Sequence, residues 1–189
     1  MIEFDEASHT YRVGGVVVPS VTQILKPLYD FSGVPPNVLA RKAALGTMVH
    51  KACDLDDDGL LDEETVDGAV APYLSAWRLF RSESGAVVLS SEQRVFHRTL
   101  RYCGTLDRVI DVGGNAMLID IKTSVEIHPA VGPQTAGYAM ALGQNLARGV
   151  VQLRPDGSYR FRELADPADA AIFSSCLLIH KFTKENTHV

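Results

Sequence analysis

Gly113-Gly114 constrains this chain more than any other feature. It separates two long apolar runs, Tyr102 to Val112 and Ala116 to Thr123. Two adjacent glycines accept the positive φ that a tight hairpin turn demands, and the flanking runs suit a pleated surface. With a two-residue loop, Val112 faces Asn115, and the same register sets Asp107 across from Asp120. Opposed residues on one sheet face have Cβ atoms about 4.5–5.5 Å apart. Two carboxylates that close repel unless a cation lies between them. Magnesium, a hard ion preferring oxygen at about 2.0–2.1 Å, fits the gap. Period two puts Lys122 on the face of Asp120, where it could orient or deprotonate a water or stabilise charge on a phosphate. A preceding hairpin turning at Thr99-Leu100 would place Glu92 opposite Asp107 and extend the acidic row over three strands.

The rest of the chain supplies helices around this unit. Phe4 to Val18 reads as a small hairpin about Gly14-Gly15. Ser20-Val21-Thr22-Gln23 matches a capping box, so a short helix should follow and end near Pro27. Helical spacing predicts helices from Asn37 to about Asp54, with His50 near its C-terminal end, and from about Val66 to Glu83, with Val70, Tyr73, Leu74, Trp77 and Phe80 inward. Strands are expected at 87–97, 102–112 and 116–123, then a helix from Pro133 to Ala147 and strands at Val150 to Leu153 and Tyr159 to Leu164. A last helix starts at Asp166-Pro167, with Asp as N-cap, and carries Phe173, Leu177 and Leu178. The expectation is an α/β protein with a central mixed sheet flanked by helices. It is one domain over 1–189, with an N-terminal hairpin and helices (1–85) before a catalytic core (86–189).

The net charge of −5 argues against a nucleic-acid partner only if it is evenly spread, and it is not. Seven acids and no base lie between Asp54 and Glu64, and without them the remainder is net basic. Arg94, His97, Arg98, Arg101 and Arg108 surround the acidic row, with Arg41, Lys42 and Lys51 upstream; local basic patches govern phosphate attraction. Asp54-x-Asp56-x-Asp58-Gly59 begins like a calcium loop, but position twelve is Thr65 where a bidentate Glu is needed, so the stretch reads as a solvated linker. Cys53, Cys103 and Cys176 form no Cys-x-x-Cys pair and read as buried free thiols. No apolar run approaches the ~20 residues of a membrane span, and the acidic N-terminus lacks signal-peptide order. The expected location is the cytoplasm.

Gly104-Thr105-Leu106-Asp107, followed after twelve residues by Asp120-Ile121-Lys122-Thr123, resembles the PD-(D/E)XK nuclease superfamily. Gly46-Thr47-Met48-Val49-His50 is similar to the upstream histidine motif of its RecB-like branch. Ser91-Glu92 is similar to the acidic position on the preceding strand, and Gln134-Thr135-Ala136-Gly137-Tyr138 to the Gln-x-x-x-Tyr helix motif. His9-Thr10-Tyr11 and Ser20-Val21-Thr22 resemble phage-encoded members. One departure is Leu106, where the first motif often has proline.

The resemblance implies a restriction-endonuclease-like core and a metal held by Asp107, Asp120, Glu92, His50 and the Ile121 carbonyl. It makes Lys122 the catalytic lysine. Gln134 and Tyr138, on one helix face, would support the site or contact DNA, as would Arg41 and Arg108. The implied activity is Mg2+-dependent DNA exonuclease cleavage, with Mn2+ able to substitute, leaving a 5′-phosphate and a 3′-hydroxyl. It would serve phage-type recombination in the host cytoplasm, beside a single-strand annealing or single-strand-binding protein. A structure-specific or nicking endonuclease, and a DNA-end binder without catalysis, are the alternatives.

Overall fold

The computed structural model describes residues 1–6 and 8–186. Three short strands open it, β1 (Ile2–Asp5), β2 (Thr10–Val13) and β3 (Val16–Val18), so the expected hairpin carries a third strand. α1 (Val21–Ile24) follows with the complete capping box: the Ser20 hydroxyl accepts from the Gln23 amide, and the Gln23 side chain accepts from the Ser20 amide. Then come α2 (Pro36–Asp57), α3 (Ala71–Ser84), β4 (Val87–His97), β5 (Tyr102–Val112), β6 (Asn115–Lys122), α4 (Val131–Leu142), β7 (Ala147–Leu153), β8 (Tyr159–Glu163) and α5 (Asp169–Asn186).

β4 to β8 form a five-stranded sheet in sequential order. β6 and β7 are parallel, joined by the crossover helix α4, and the other neighbours are antiparallel. Alternation along β6 divides the core. Ile119 and Ile121 pack with Val49, Trp77 and Phe80 of α2 and α3. Leu118 lies in the cluster with Val21, Tyr138 and Phe173 of α1, α4 and α5. This is the α/β arrangement expected, a central mixed sheet with helices on both faces.

Register follows the glycine turn. Gly113 and Gly114 have φ of 60° and 85°, and the pairs run from Val112↔Asn115 to Arg108↔Ile119. The β4–β5 turn also falls where expected, with Ser91↔Arg108 and Gln93↔Leu106 flanking the Glu92 position. Glu92 itself has φ of 44°, a left-handed conformation uncommon for a non-glycine residue.

Several elements differ from the reading of the sequence. α3 begins at Ala71, not Val66, behind a 3-10 turn at Glu63–Thr65. α4 stops at Leu142, and Ala147 opens β7 instead of closing the helix. Asp166 caps the turn before α5 by accepting from the Ala168 amide, but the helix proper begins at Asp169. Leu178 on α5 is exposed, whereas Phe173 and Leu177 are buried. The three cysteines are free and buried. No helix among the described residues is long and apolar enough to cross a membrane.

The acidic stretch is the largest correction. α2 runs on to Asp57, so Asp54, Asp56 and Asp57 form its last turn and are not a solvated linker. Carboxylates at a helix C-terminus oppose the helix dipole, and arginines of α3 and β5 offset this. Arg81 reaches Asp56 and Asp57 at 3.2 and 2.6 Å, Arg78 reaches Asp56 at 2.5 Å and also pairs with Glu63, and the Trp77 indole donates to Asp57 at 2.8 Å. Arg108, fully buried, donates to Asp57 at 2.6 Å and to Glu92 at 3.3 Å. Buried there, it clamps α2 to β4 and β5.

Removing one partner of a buried ion pair leaves an uncompensated charge and costs about 3–5 kcal/mol. Arg108→Met is therefore expected to destabilise the fold by that amount in urea unfolding, and adding Asp57→Asn should recover part of the loss. A wild-type unfolding midpoint for Arg108→Met would show that the clamp carries no stability.

Candidate functional site

The site forms where β5 and β6 part. Their last ladder pair is Arg108↔Ile119. Asp107 and Asp120 are the next residues along, just beyond the end of the pairing. The Asp107 carboxylate takes the place of the ladder, with Oδ2 accepting from the Ile121 amide at 2.7 Å. That bond fixes the carboxylate and leaves Oδ1 turned toward the His50 ring.

His50 enters from α2. Because α2 continues to Asp57, His50 lies about two turns before the helix end, too far inside for an interaction with the helix terminus to explain it. Its Nε2 lies 3.1 Å from the Ile121 carbonyl. A carbonyl can only accept, so Nε2 carries the proton and Nδ1 faces the carboxylates. Nδ1 is 3.6 Å from Asp107 Oδ1 and 3.8 Å from Glu92 Oε1. One donor atom each from His50, Glu92 and Asp107 fall within 4.8 Å of one another. Ile121 therefore serves both sides of the site, its N–H holding Asp107 and its C=O holding His50. That carbonyl, expected as a metal ligand, is engaged by the histidine.

Asp120 and Lys122 form the second half. Asp120 is 1 % exposed, and its Oδ2 lies 2.7 Å from Lys122 Nζ. The contact is an ion pair without hydrogen-bond alignment, so neither buried carboxylate oxygen accepts a hydrogen bond among the described residues. Burial pushes the Asp120 carboxyl up; Lys122 opposes this and the Asp107 charge adds to it. Lys122 is held above its ordinary range, because Asp120 and Asp107 outweigh the effect of its burial. Burial alone would lower His50, but the Asp107 charge and the Glu92 contact raise it. For Lys122 and His50 the shift expresses the negative charge gathered here, whereas for Asp120 burial is the cause.

Such a donor set suits a divalent cation. Two carboxylates and one oriented imidazole nitrogen converge, and a third buried carboxylate nearby lacks hydrogen bonds. Either a proton on Nδ1 or a shared cation relieves the lone-pair repulsion. Asp120 lies outside the three-residue convergence, so it is adjacent to the set and not inside it.

The remaining predicted residues divide into support and distant surface. Gln134 and Tyr138 are buried on one face of α4, with the Gln134 amide donating to the Tyr138 hydroxyl at 3.2 Å. Burial, as the largest cause, raises the Tyr138 phenol well above its usual range. Its ring sits over Gly104, where an added Cβ would lie 2.5 Å from the ring and 3.2 Å from Val21; the Gly-Thr-Leu-Asp segment needs its glycine for this approach. The Tyr11 hydroxyl hydrogen-bonds the Thr105 hydroxyl at 2.7 Å, and Ser20 bridges to Cys103, so the N-terminal motifs buttress β5. Arg41 is exposed on α2, about two and a half turns before His50 and half a turn round the helix. It does not join the cluster.

Reading the sequence missed Asp57, which anchors Arg108 behind Glu92, and Asp54, which accepts from Ser91 beside Glu92 at 2.6 Å. The available signal was acidic residues collected where a helix dipole opposes them.

No family model matches the chain, and no curated protein matches it in sequence. Among solved structures it is similar to an alkaline exonuclease, LHK-Exo, from Laribacter hongkongensis. The identity is 14 % and the TM-score 0.49, over 85 % of this chain and 84 % of that one. A structure of LHK-Exo in complex with dAMP gives 14 % and 0.49, over 89 % and 92 %. At this level the likeness is one of overall shape and assigns no residue a role.

Proposed function

We propose that this chain is a divalent-metal-dependent deoxyribonuclease that hydrolyses phosphodiester bonds at DNA ends. The convergence of His50, Glu92 and Asp107 within 4.8 Å, beside the Asp120–Lys122 pair, carries the reading. The order of motifs resembling the RecB-like branch of the PD-(D/E)XK superfamily supports it.

His50, Glu92 and Asp107 would hold the ion, with Asp120 reorienting from Lys122 to join them. An oxygen-rich set with one imidazole suits Mg2+ and accommodates Mn2+. When bound, the ion supplies Lewis-acid polarisation and a lowered pKa for water. Lys122, cationic beside Asp120, would hold the attacked phosphate by charge. The Ile121 amide keeps Asp107 oriented, and the Ile121 carbonyl fixes the His50 tautomer. Arg108 stabilises Glu92 from behind without reaching the substrate. By resemblance the products are a 5′-phosphate and a 3′-hydroxyl, the setting is phage-type recombination in the host cytoplasm, and a single-strand annealing or binding protein is the partner.

Digestion of linear and closed circular DNA with magnesium tests the activity. The linear form should be consumed and the circle left intact. Nicking of the circle would mark an endonuclease, and survival of both forms would reduce the chain to a DNA binder.

Roles within the site separate by calorimetric titration with Mn2+. Asp107→Asn and Asp120→Asn should weaken metal binding and abolish cleavage with the fold retained. Lys122→Ala should lower the cleavage rate by orders of magnitude while leaving metal binding unchanged or slightly tighter, because a cation beside the ion is repulsive. Loss of metal in Lys122→Ala equal to that of the aspartate variants would make the lysine structural.

A further inference from the structure

Beside the site, three aromatic rings from two separate segments are stacked in order Phe31, Tyr29, His128. Tyr29 and Phe31 have ring centroids 5.6 Å apart at 11°, and Tyr29 and His128 lie 4.6 Å apart at 30°. Such a column is ordinarily core material, yet Phe31 is 53 % exposed and His128 is also exposed. Local bonds fix the backbone around Phe31 and the ring of His128. The Phe31 carbonyl accepts from the Val34 amide, Asp30 accepts from the Ser32 amide, and His128 Nδ1 accepts from the Ala130 amide. His128 is six residues beyond Lys122 on the segment leading into α4. Tyr29 packs against the core cluster containing Tyr138, and both Lys122 and Asp120 act electrostatically on its phenol.

One 3-10 turn before Tyr29, the Lys26 carbonyl accepts the Tyr29 amide at 3.1 Å. Lys26 and Pro27 form one wall of an open groove of about 1060 Å³ running between α1 and α5. Its lining carries Lys26, Arg101, Lys181 and Lys184 against a single acid, Glu185. None of the four cations is in an ion pair among the described residues. Lys26 ties the aromatic column to this groove along the chain, and rings beside cations are what a single nucleic-acid strand requires, since bases stack on the rings and phosphates track the cations.

We propose that Phe31, backed by Tyr29 and His128, is a stacking platform for a base of single-stranded DNA at the edge of the catalytic site. The strand's backbone follows the groove past Lys26 to Lys184. This rests on the nuclease reading for its purpose, but not for its measurement. Phe31 is a positioning residue: it sets where the strand lies relative to Lys122 and takes no part in the chemistry.

The test uses single-stranded DNA with 2-aminopurine at its terminal base, bound to the whole chain in EDTA so that nothing is cut. Stacking should quench the fluorophore. Phe31→Ala should lose most of the quenching and bind roughly ten-fold more weakly, within the range for one stacked base; Phe31→Trp should restore both. Removing two phosphate contacts with Lys26→Ala and Lys184→Ala together should reduce the slope of log affinity against log salt by roughly 1.4. Wild-type quenching and affinity in Phe31→Ala would overturn the platform, and an unchanged salt slope would overturn the path along the groove. Parallel digestion of linear duplex with magnesium keeps the two readings apart. Cleavage without quenching in the wild type sinks the platform and leaves the nuclease standing. Quenching that Phe31→Ala abolishes, without cleavage, sustains the strand site and removes the nuclease.

Discussion

The parting of β5 from β6 is the event on which the site depends. A hydrogen-bonded ladder satisfies backbone groups and leaves no room for a ligand between strands. Here the ladder stops at Arg108↔Ile119, and the Asp107 side chain takes over the Ile121 amide that a continuing strand would have used. The opposite end of the same residue, its carbonyl, receives His50. One residue thus holds a carboxylate from one strand and an imidazole from a helix. β7 keeps Ile121 in place by parallel pairing with Val151, so the opening is rigid on one side while its own edge is free.

Concentrating acids in this way requires a frame that tolerates them. α2 delivers His50 but also brings Asp54, Asp56 and Asp57 to its unfavourable C-terminal end. Arg78, Arg81 and Arg108 convert that cost into a tie among α2, α3 and β5. Arg108 is the joint between frame and site, since its guanidinium spans from buried Asp57 to half-buried Glu92. The opposite face is handled by packing. Gly104 lets the Tyr138 ring lie against β5, and Gln134 satisfies the phenol without adding charge.

The surface beyond the site has a different character. Exposed aromatic rings stand beside the site, whereas Asp56, Asp57 and Glu63 of the acidic stretch are neutralised by Arg78, Arg81 and Arg108. Overall charge is therefore a poor guide to what this face attracts; the local pattern decides.

How much could be read without coordinates follows from the range of each interaction. The Gly113-Gly114 turn fixed its own register as far as Arg108↔Ile119, because a two-residue hairpin leaves no freedom in pairing, and strand alternation set Lys122 beside Asp120. The capping box and the apolar stripe of α3 were equally local and equally legible. His50, Glu92 and the Gln134–Tyr138 pair were found through resemblance of motifs, since nothing in their own neighbourhoods distinguishes a ligand from a solvated side chain. Arg108 could not be placed from sequence: whether an arginine meets solvent or a buried aspartate 51 positions earlier is decided by which helix packs over its strand. The length of α2 and the fate of its acidic turn had the same cause, because only arginines contributed from α3 and β5 make a helix ending in carboxylates stable. Local hydrogen bonding and alternation determined the strands, turns and acidic row; the meeting of groups distant in sequence determined which charges were buried, which were neutralised and which were left facing one another.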